Sequence, residues 1–174
     1  MLGLRDVLDE PSVVAAEIAG QGWEGVPEDF DDVFVYGARH FCDHEVEYGL
    51  PMSPRYCGWV TDSVPSGSRA LATLAVAAGG GGDGGEVFAL GLDLLQLRTD
   101  WRGVVAAGPY ADVVQLGNLS AKANLKGRLR ILTDVAGCAT LFSTASAVLQ
   151  MAGYNSTFEA LAAGCRPILV PRRS

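Results

Sequence analysis

Ala70-Leu-Ala-Thr-Leu-Ala-Val-Ala-Ala78 runs directly into Gly79-Gly-Gly-Gly-Asp-Gly-Gly85, and then into Glu86-Val-Phe-Ala-Leu-Gly-Leu-Asp-Leu-Leu-Gln-Leu97. A short apolar run closed by glycines reads as a buried strand, and the longer apolar-rich stretch from Val87 reads as a helix. Read onward, the pattern repeats. Strands are expected over 104–107, 129–133, 147–151 and 168–170, with helices over 111–123, from about 137, and over 156–163. Regular alternation of this kind predicts an α/β fold: a Rossmann-like parallel sheet with helices on both faces. Such a sheet takes its ligand beyond the carboxyl ends of its strands, where loops run into helix N-termini.

Upstream the pattern is less regular. Residues 4–18 suggest a helical turn and then a helix from about Pro11, 33–36 a strand closed by Gly37, 38–48 a helix stopped by Gly49-Leu-Pro51, and 56–60 a further strand. Between Thr61 and Ser68 the composition turns to Asp, Ser, Pro and Gly, which marks a linker. The expected organisation is a partial α/β lobe over 1–62 and a Rossmann-like domain over 63–174, with the chain read as a fragment at both ends.

Composition removes several classes of function. Thirteen Lys and Arg against 20 Asp and Glu give a formal charge of −7, which leaves no general cationic surface for nucleic acid. Any phosphate must be held locally. The longest apolar stretch, 70–78, is about half of the roughly 20 residues a membrane-spanning helix needs. Cys42, Cys57, Cys138 and Cys165 form no C-x-x-C pair, and no secretory leader pattern opens the chain, so a reducing cytoplasm is the expected compartment. Peripheral membrane contact through parts beyond this chain stays open.

Two segments at strand-to-helix turns carry the chemistry. Within the glycine loop, successive backbone N–H groups around Gly80, Gly81 and Gly82 can form an anion-binding concavity, with the positive end of the next helix behind it. The loop lacks Lys and any G-K-[ST] step, which excludes a triphosphate-binding P-loop. Asp83 either orients a substrate hydroxyl or stabilises the turn, and a plain surface loop is the alternative to a phosphate site. The second segment is Gly153-Tyr-Asn-Ser-Thr-Phe-Glu-Ala-Leu-Ala-Ala-Gly164. Ser156 and Glu159 fit S-x-x-E, a capping box that needs no ligand, and Gly164 reads as the helix stop. Gly153, Asn155 and Thr157 remain as groups crowded at a helix start.

The stretch 152–164, followed by Pro167-Ile-Leu-Val-Pro-Arg172, resembles the donor-binding signature of MurG-like glycosyltransferases, and more closely that of a group of bacterial predicted glycosyltransferases. Leu2-Gly-Leu-Arg-Asp-Val-Leu-Asp9, Val35-Tyr-Gly37, Arg55-Tyr-Cys-Gly58 and the glycine loop extend the similarity over nearly the whole chain. The resemblance implies a GT-B fold, two Rossmann-like domains across a cleft, with residues 1–62 covering the end of the N-terminal, acceptor-side domain and 63–174 most of the nucleotide-sugar-binding one. It also implies a nucleotide-diphosphate sugar, UDP-linked, as substrate, and neither a resident cofactor nor a protein-bound metal. By motif position, Gly80, Gly81, Gly82, Asn155, Ser156 and Thr157 would contact the donor diphosphate and Glu159 the ribose, with Asp83, Gly153 and Tyr154 elsewhere in the cleft. Ala152 stands where the family has a second Gly, and Ala77-Ala78 where its strand ends in Val-Gly. The acceptor and the catalytic base are not specified.

His40 and His44, four apart on the expected helix, raise a metal site, but the pattern is not H-E-x-x-H and a polar helix face explains it more simply. Lys122, Lys126, Arg128 and Arg130 read as a solvated basic run. The leading expectation is transfer of a sugar from a nucleotide-diphosphate sugar to an acceptor hydroxyl. Its rivals are a nucleotide-sugar 2-epimerase and a non-catalytic binding or scaffold subunit.

Overall fold

The computed structural model describes residues 1–4, 10, 12–16, 23–61, 68–78, 84–133, 135 and 137–171. They divide into two compact units, Met1–Val60 and Thr61–Ser174.

In the first unit three short parallel strands pair in the order β1 (Leu2–Leu4), β2 (Val33–Val35), β3 (Arg55–Tyr56). Leu2 lies opposite Val33 and Leu4 opposite Val35, while Val35 faces Tyr56 on its other side. Helical turns α1 (12–16) and α2 (Val26–Asp29), a 3-10 turn at Trp23–Gly25 and α3 (His44–Glu47) connect them. Val26, Val33 and Leu50 form the buried centre, with Leu2, Leu4, Trp23, Phe30 and Met52 packed around it.

Two sequence expectations change here. Leu4 does not begin a helical turn but ends an edge strand, because main-chain pairing to Val33–Val35 outweighs any local preference in a three-residue stretch. The helix expected over 38–48 is a single turn, His44–Glu47. Asp43 takes an extended conformation and accepts the N–H of Glu45, so the helix cannot begin before it. His40 consequently sits in a turn and shares no helix face with His44.

The second unit is a five-stranded, wholly parallel sheet in the order β6-β5-β4-β7-β8. Its strands are β4 (Thr73–Ala77), β5 (Arg102–Ala106), β6 (Leu129–Leu132), β7 (Ala147–Met151) and β8 (Ile168–Val170), and its helices α4 (Gly85–Leu97), α5 (Val113–Ala123), α6 (Ala139–Thr144) and α7 (Tyr154–Ala162). Alternation along each strand sends side chains to two faces. Leu74, Val76, Val105, Leu149 and Met151 pack on one face against Val87, Phe88, Leu92 and Leu95 of α4 and Leu116 of α5. Ala75, Ala77, Ala106 and Val148 pack on the other against Phe142 of α6 and Ala160 of α7. The second face is small on the strand side, which makes room for one large ring, and Phe142 is fully buried there. Full burial of a side chain of that size is worth about 1.5–3 kcal/mol. The expected doubly covered α/β sheet is therefore present.

Helix ends are fastened by specific side chains. Asp112 accepts the N–H groups of Val114 and Gln115 at 3.0 and 2.9 Å and so caps α5. Arg128 donates from one guanidinium nitrogen to the carbonyls of Leu95, Arg98 and Trp101, holding the end of α4. That corrects its reading as part of a solvated run: a cation at a helix C-terminus meets unpaired carbonyls and the negative dipole end. Helix α7 stops at Gly164, whose φ of +70° a side chain rarely adopts. The N–H of Cys165 reaches Ala160 O and that of Gly164 reaches Leu161 O, both at 2.9 Å, the paired bonds of a Schellman ending.

Candidate functional site

Strands β5 and β6 extend the sheet from one side of β4, and β7 and β8 from the other, so the order reverses between β4 and β7. Loops leaving adjacent strands at such a reversal diverge to opposite faces and open a crevice at the carboxyl edge. Ala77 is paired with Gln150, so the two strands end almost level and their outgoing segments leave side by side. The glycine-rich segment follows β4, and the segment beginning at Gly153 follows β7. Gly80, Gly81, Gly82 and Asp83 lie outside the described residues.

On the β4 side, Gly84 is the N-cap of α4, with no side chain to satisfy the first N–H groups. A Cβ at Gly84 would stand 2.2 Å from the Cβ of Ala78, so the start of α4 lies against the residue that follows β4 at a distance only glycine permits. A Cβ at Gly85 would stand 3.0 Å from Oε1 of Gln115, which places that amide against the first turn of α4. Gln115 escaped the sequence reading. Its only signal is its place in the first turn of the helix that follows β5.

On the β7 side, the N-cap of α7 is Gly153, again without a side-chain cap. The helix thus begins at Tyr154, two residues before the expected start, and the capping box at Ser156 and Glu159 is not formed. Instead Ser156 Oγ and Thr157 Oγ1 both donate to Gly153 O, at 3.3 and 2.7 Å. Asn155 is exposed, while Tyr154 stacks edge-on against Phe158 with centroids 4.8 Å apart. Glu159 turns toward α6, where its Oε2 accepts the backbone N–H of Cys138 at 3.1 Å. Burial and the Glu159 charge together push the Cys138 thiol up to about 11.

Beneath this turn lies Gln150, fully buried on β7. Its Nε2 donates to Thr157 Oγ1 at 3.4 Å, and its Oε1 has no partner. The structure thus brings Gly153, Ser156 and Thr157 onto one helix start beside the end of β4, with Glu159 farther along the same helix, and adds Gly84, Gly85, Gln115, Cys138 and Gln150. Neither Gln150, in an apolar strand, nor Cys138, through its main chain, stood out by residue type.

Among the described residues no group of three metal-ligating side chains occurs, and no helix is long and apolar enough to cross a membrane.

These features define a Rossmann-like α/β domain of the kind that GT-B glycosyltransferases carry. No protein-family model and no curated protein matches the chain. Solved structures that share its fold include the following two. The pneumococcal O-GlcNAc transferase GtfA, in complex with UDP and GlcNAc, superposes with a TM-score of 0.56 at 14% identity, over 83% of this chain and 31% of that one. The GtfA/B complex superposes with a TM-score of 0.54 at 13% identity, over 86% and 32%. This chain therefore spans about a third of those chains.

Proposed function

We propose that the second unit is the donor domain of a MurG-like glycosyltransferase, holding a UDP-linked sugar at the carboxyl edge of β4 and β7 for transfer to an acceptor hydroxyl. The observation that carries this reading is the placement of two glycine-started helices, α4 and α7, on neighbouring strands where the strand order reverses. A glycine N-cap leaves the first amides of each helix without a side-chain acceptor, and both helix dipoles add positive potential at the same edge. A diphosphate is the anion that fits such a pair. The fold shared with a transferase solved with UDP supports the same reading.

Each residue then has a distinct task. Gly80, Gly81 and Gly82 bring backbone close to the diphosphate from the β4 side, and Asp83 orients a sugar hydroxyl. Gly153 and Tyr154 shape the β7 side, while Asn155, Ser156 and Thr157 supply hydrogen bonds. Glu159 uses Oε2 to hold the Cys138 amide and Oε1 to accept from the ribose diol. No protein-bound metal or resident cofactor takes part. Charge that develops on the departing nucleotide is stabilised by fixed amide dipoles, which need no reorganisation during transfer. Positioning carries the rate.

Calorimetry with UDP tests the reading. Wild-type protein binds, and Glu159→Ala binds about tenfold more weakly, the loss of one good charge-assisted hydrogen bond. An unchanged affinity in this variant, or no nucleotide binding by folded wild-type protein, overturns it.

A further inference from the structure

Packing alone does not account for Gln150. It stands level with Ala77 on β4 and Leu169 on β8, two residues past Val148, so its side chain enters the face that Ala75, Ala77, Val148 and Phe142 line. There it is fully buried, where an apolar side chain of the same length would fill the space with no polar atom to satisfy. The amide has a set orientation. Thr157 Oγ1 spends its single proton on Gly153 O at 2.7 Å, so the group that faces this oxygen must be the donor, Nε2, and it does so at 3.4 Å. Oε1 is thereby left without a partner among the described residues. A buried acceptor in that state costs stability, and a role in function is what retains such a group in a site.

That role lies in the hydroxyl above it. Three donors converge on Gly153 O: Thr157 N–H at 3.0 Å, Ser156 Oγ at 3.3 Å and Thr157 Oγ1 at 2.7 Å. A carbonyl oxygen has two lone pairs, so a hydroxyl can leave without loss at Gly153. With Nε2 on one lone pair of Thr157 Oγ1, the hydroxyl proton points away from Gln150, toward Gly153 O or toward an acceptor arriving at the helix start. An oxygen that accepts one hydrogen bond also donates a stronger one. The helix is nine residues long, and its uncapped first amides and dipole already favour an anion there.

We propose that Gln150 is a positioning residue for the phosphate end of the nucleotide. Through Nε2 it holds and polarises the Thr157 hydroxyl, which passes from Gly153 O to a phosphate oxygen when the diphosphate binds. This rests on the donor reading above and adds to it a residue that acts without touching the ligand.

Calorimetry with UDP, and with inorganic pyrophosphate as a probe that lacks the nucleoside, compares wild type with Gln150→Leu, Gln150→Met, Thr157→Val and the Gln150→Leu/Thr157→Val double variant. Thr157→Val is expected to bind UDP about tenfold more weakly, and each Gln150 variant about three- to tenfold more weakly. The double variant binds no more weakly than Thr157→Val, since Gln150 acts through that hydroxyl. A residue that only supports the fold lowers affinity by the same factor with or without the hydroxyl. Gln150→Met, unbranched and of similar length, serves where Gln150→Leu fails to fold. Full UDP affinity in a folded Gln150 variant overturns the proposal, as does an equal loss in both Thr157 backgrounds, and in either case the donor reading stands. Gln150-dependent binding of pyrophosphate by a protein that ignores UDP keeps the positioning role and removes the donor reading. Binding of neither probe by folded wild type overturns both.

Discussion

The carboxylate of Glu159 accepts the backbone N–H of Cys138 at 3.1 Å, tying the middle of α7 to the start of α6. A fixed negative charge beside a half-buried thiol has a chemical consequence, since both desolvation and that charge disfavour the thiolate.

Cys138, pushed up to about 11 first by burial and then by Glu159, is expected to resist alkylation by iodoacetamide near neutral pH. Glu159→Gln removes the charge and keeps the shape, so the thiol pKa falls and alkylation at a given pH accelerates. Mass-spectrometric alkylation rates at Cys138 against pH check this; identical profiles for the two proteins count against the contact.

Gly84→Ala drives a methyl group into Ala78 and is expected to destabilise the second unit by about 1–3 kcal/mol, as overpacking does. Gly117→Ala is its control. It sits exposed in α5 with open space where a Cβ would go, and is expected to stabilise by about 0.5–1 kcal/mol. Urea midpoints for the two variants should move in opposite directions.

Gln150→Leu replaces a fully buried amide whose Oε1 has no partner with an apolar group of similar volume. Removing an unsatisfied buried acceptor relieves a penalty of about 1–3 kcal/mol. Thermal unfolding is expected at a temperature equal to or above that of the wild type. A clear drop would mean that Gln150 is held by more than its contact with Thr157.

His44 is only 6% exposed, between the rings of Tyr48 and Tyr56, with Nδ1 3.3 Å from Cys42 O and 3.4 Å from Tyr56 Oη. Burial lowers its pKa, against smaller raising effects from Cys42 O, Glu47 and Asp43. Because the folded-state pKa lies below the unfolded value of about 6.5, the stabilisation is complete above that pH and declines as pH falls toward the folded value. Amide-exchange protection at Val33 and Val35 should therefore weaken on acidification below about pH 6.5. His44→Gln removes that component of the pH dependence.

The parallel sheet of the second unit was legible because its strands are short apolar runs between turn residues. Ala147–Met151 and Ile168–Val170 fall at the expected bounds. The first unit was not legible in the same way. Leu2–Leu4 is three residues long, below the length at which any periodicity can be read, and becomes a strand only by pairing with Val33–Val35. The segment Gly153 to Glu159 drew notice from its residue types, but its bonds were not legible there. S-x-x-E is a local pattern, and the helix start is set instead by where β7 ends.

Residue order alone determined the α/β class, the helix stop at Gly164 and the presence of glycines at two strand-to-helix turns, because each rests on backbone conformation or hydrophobic spacing within a few residues. Only the tertiary structure decided that those two turns leave neighbouring strands and that Glu159 reaches Cys138. Each of those relations joins segments distant in the chain, and strand order, which brings them together, is set by packing of the whole sheet rather than by any local stretch of residues.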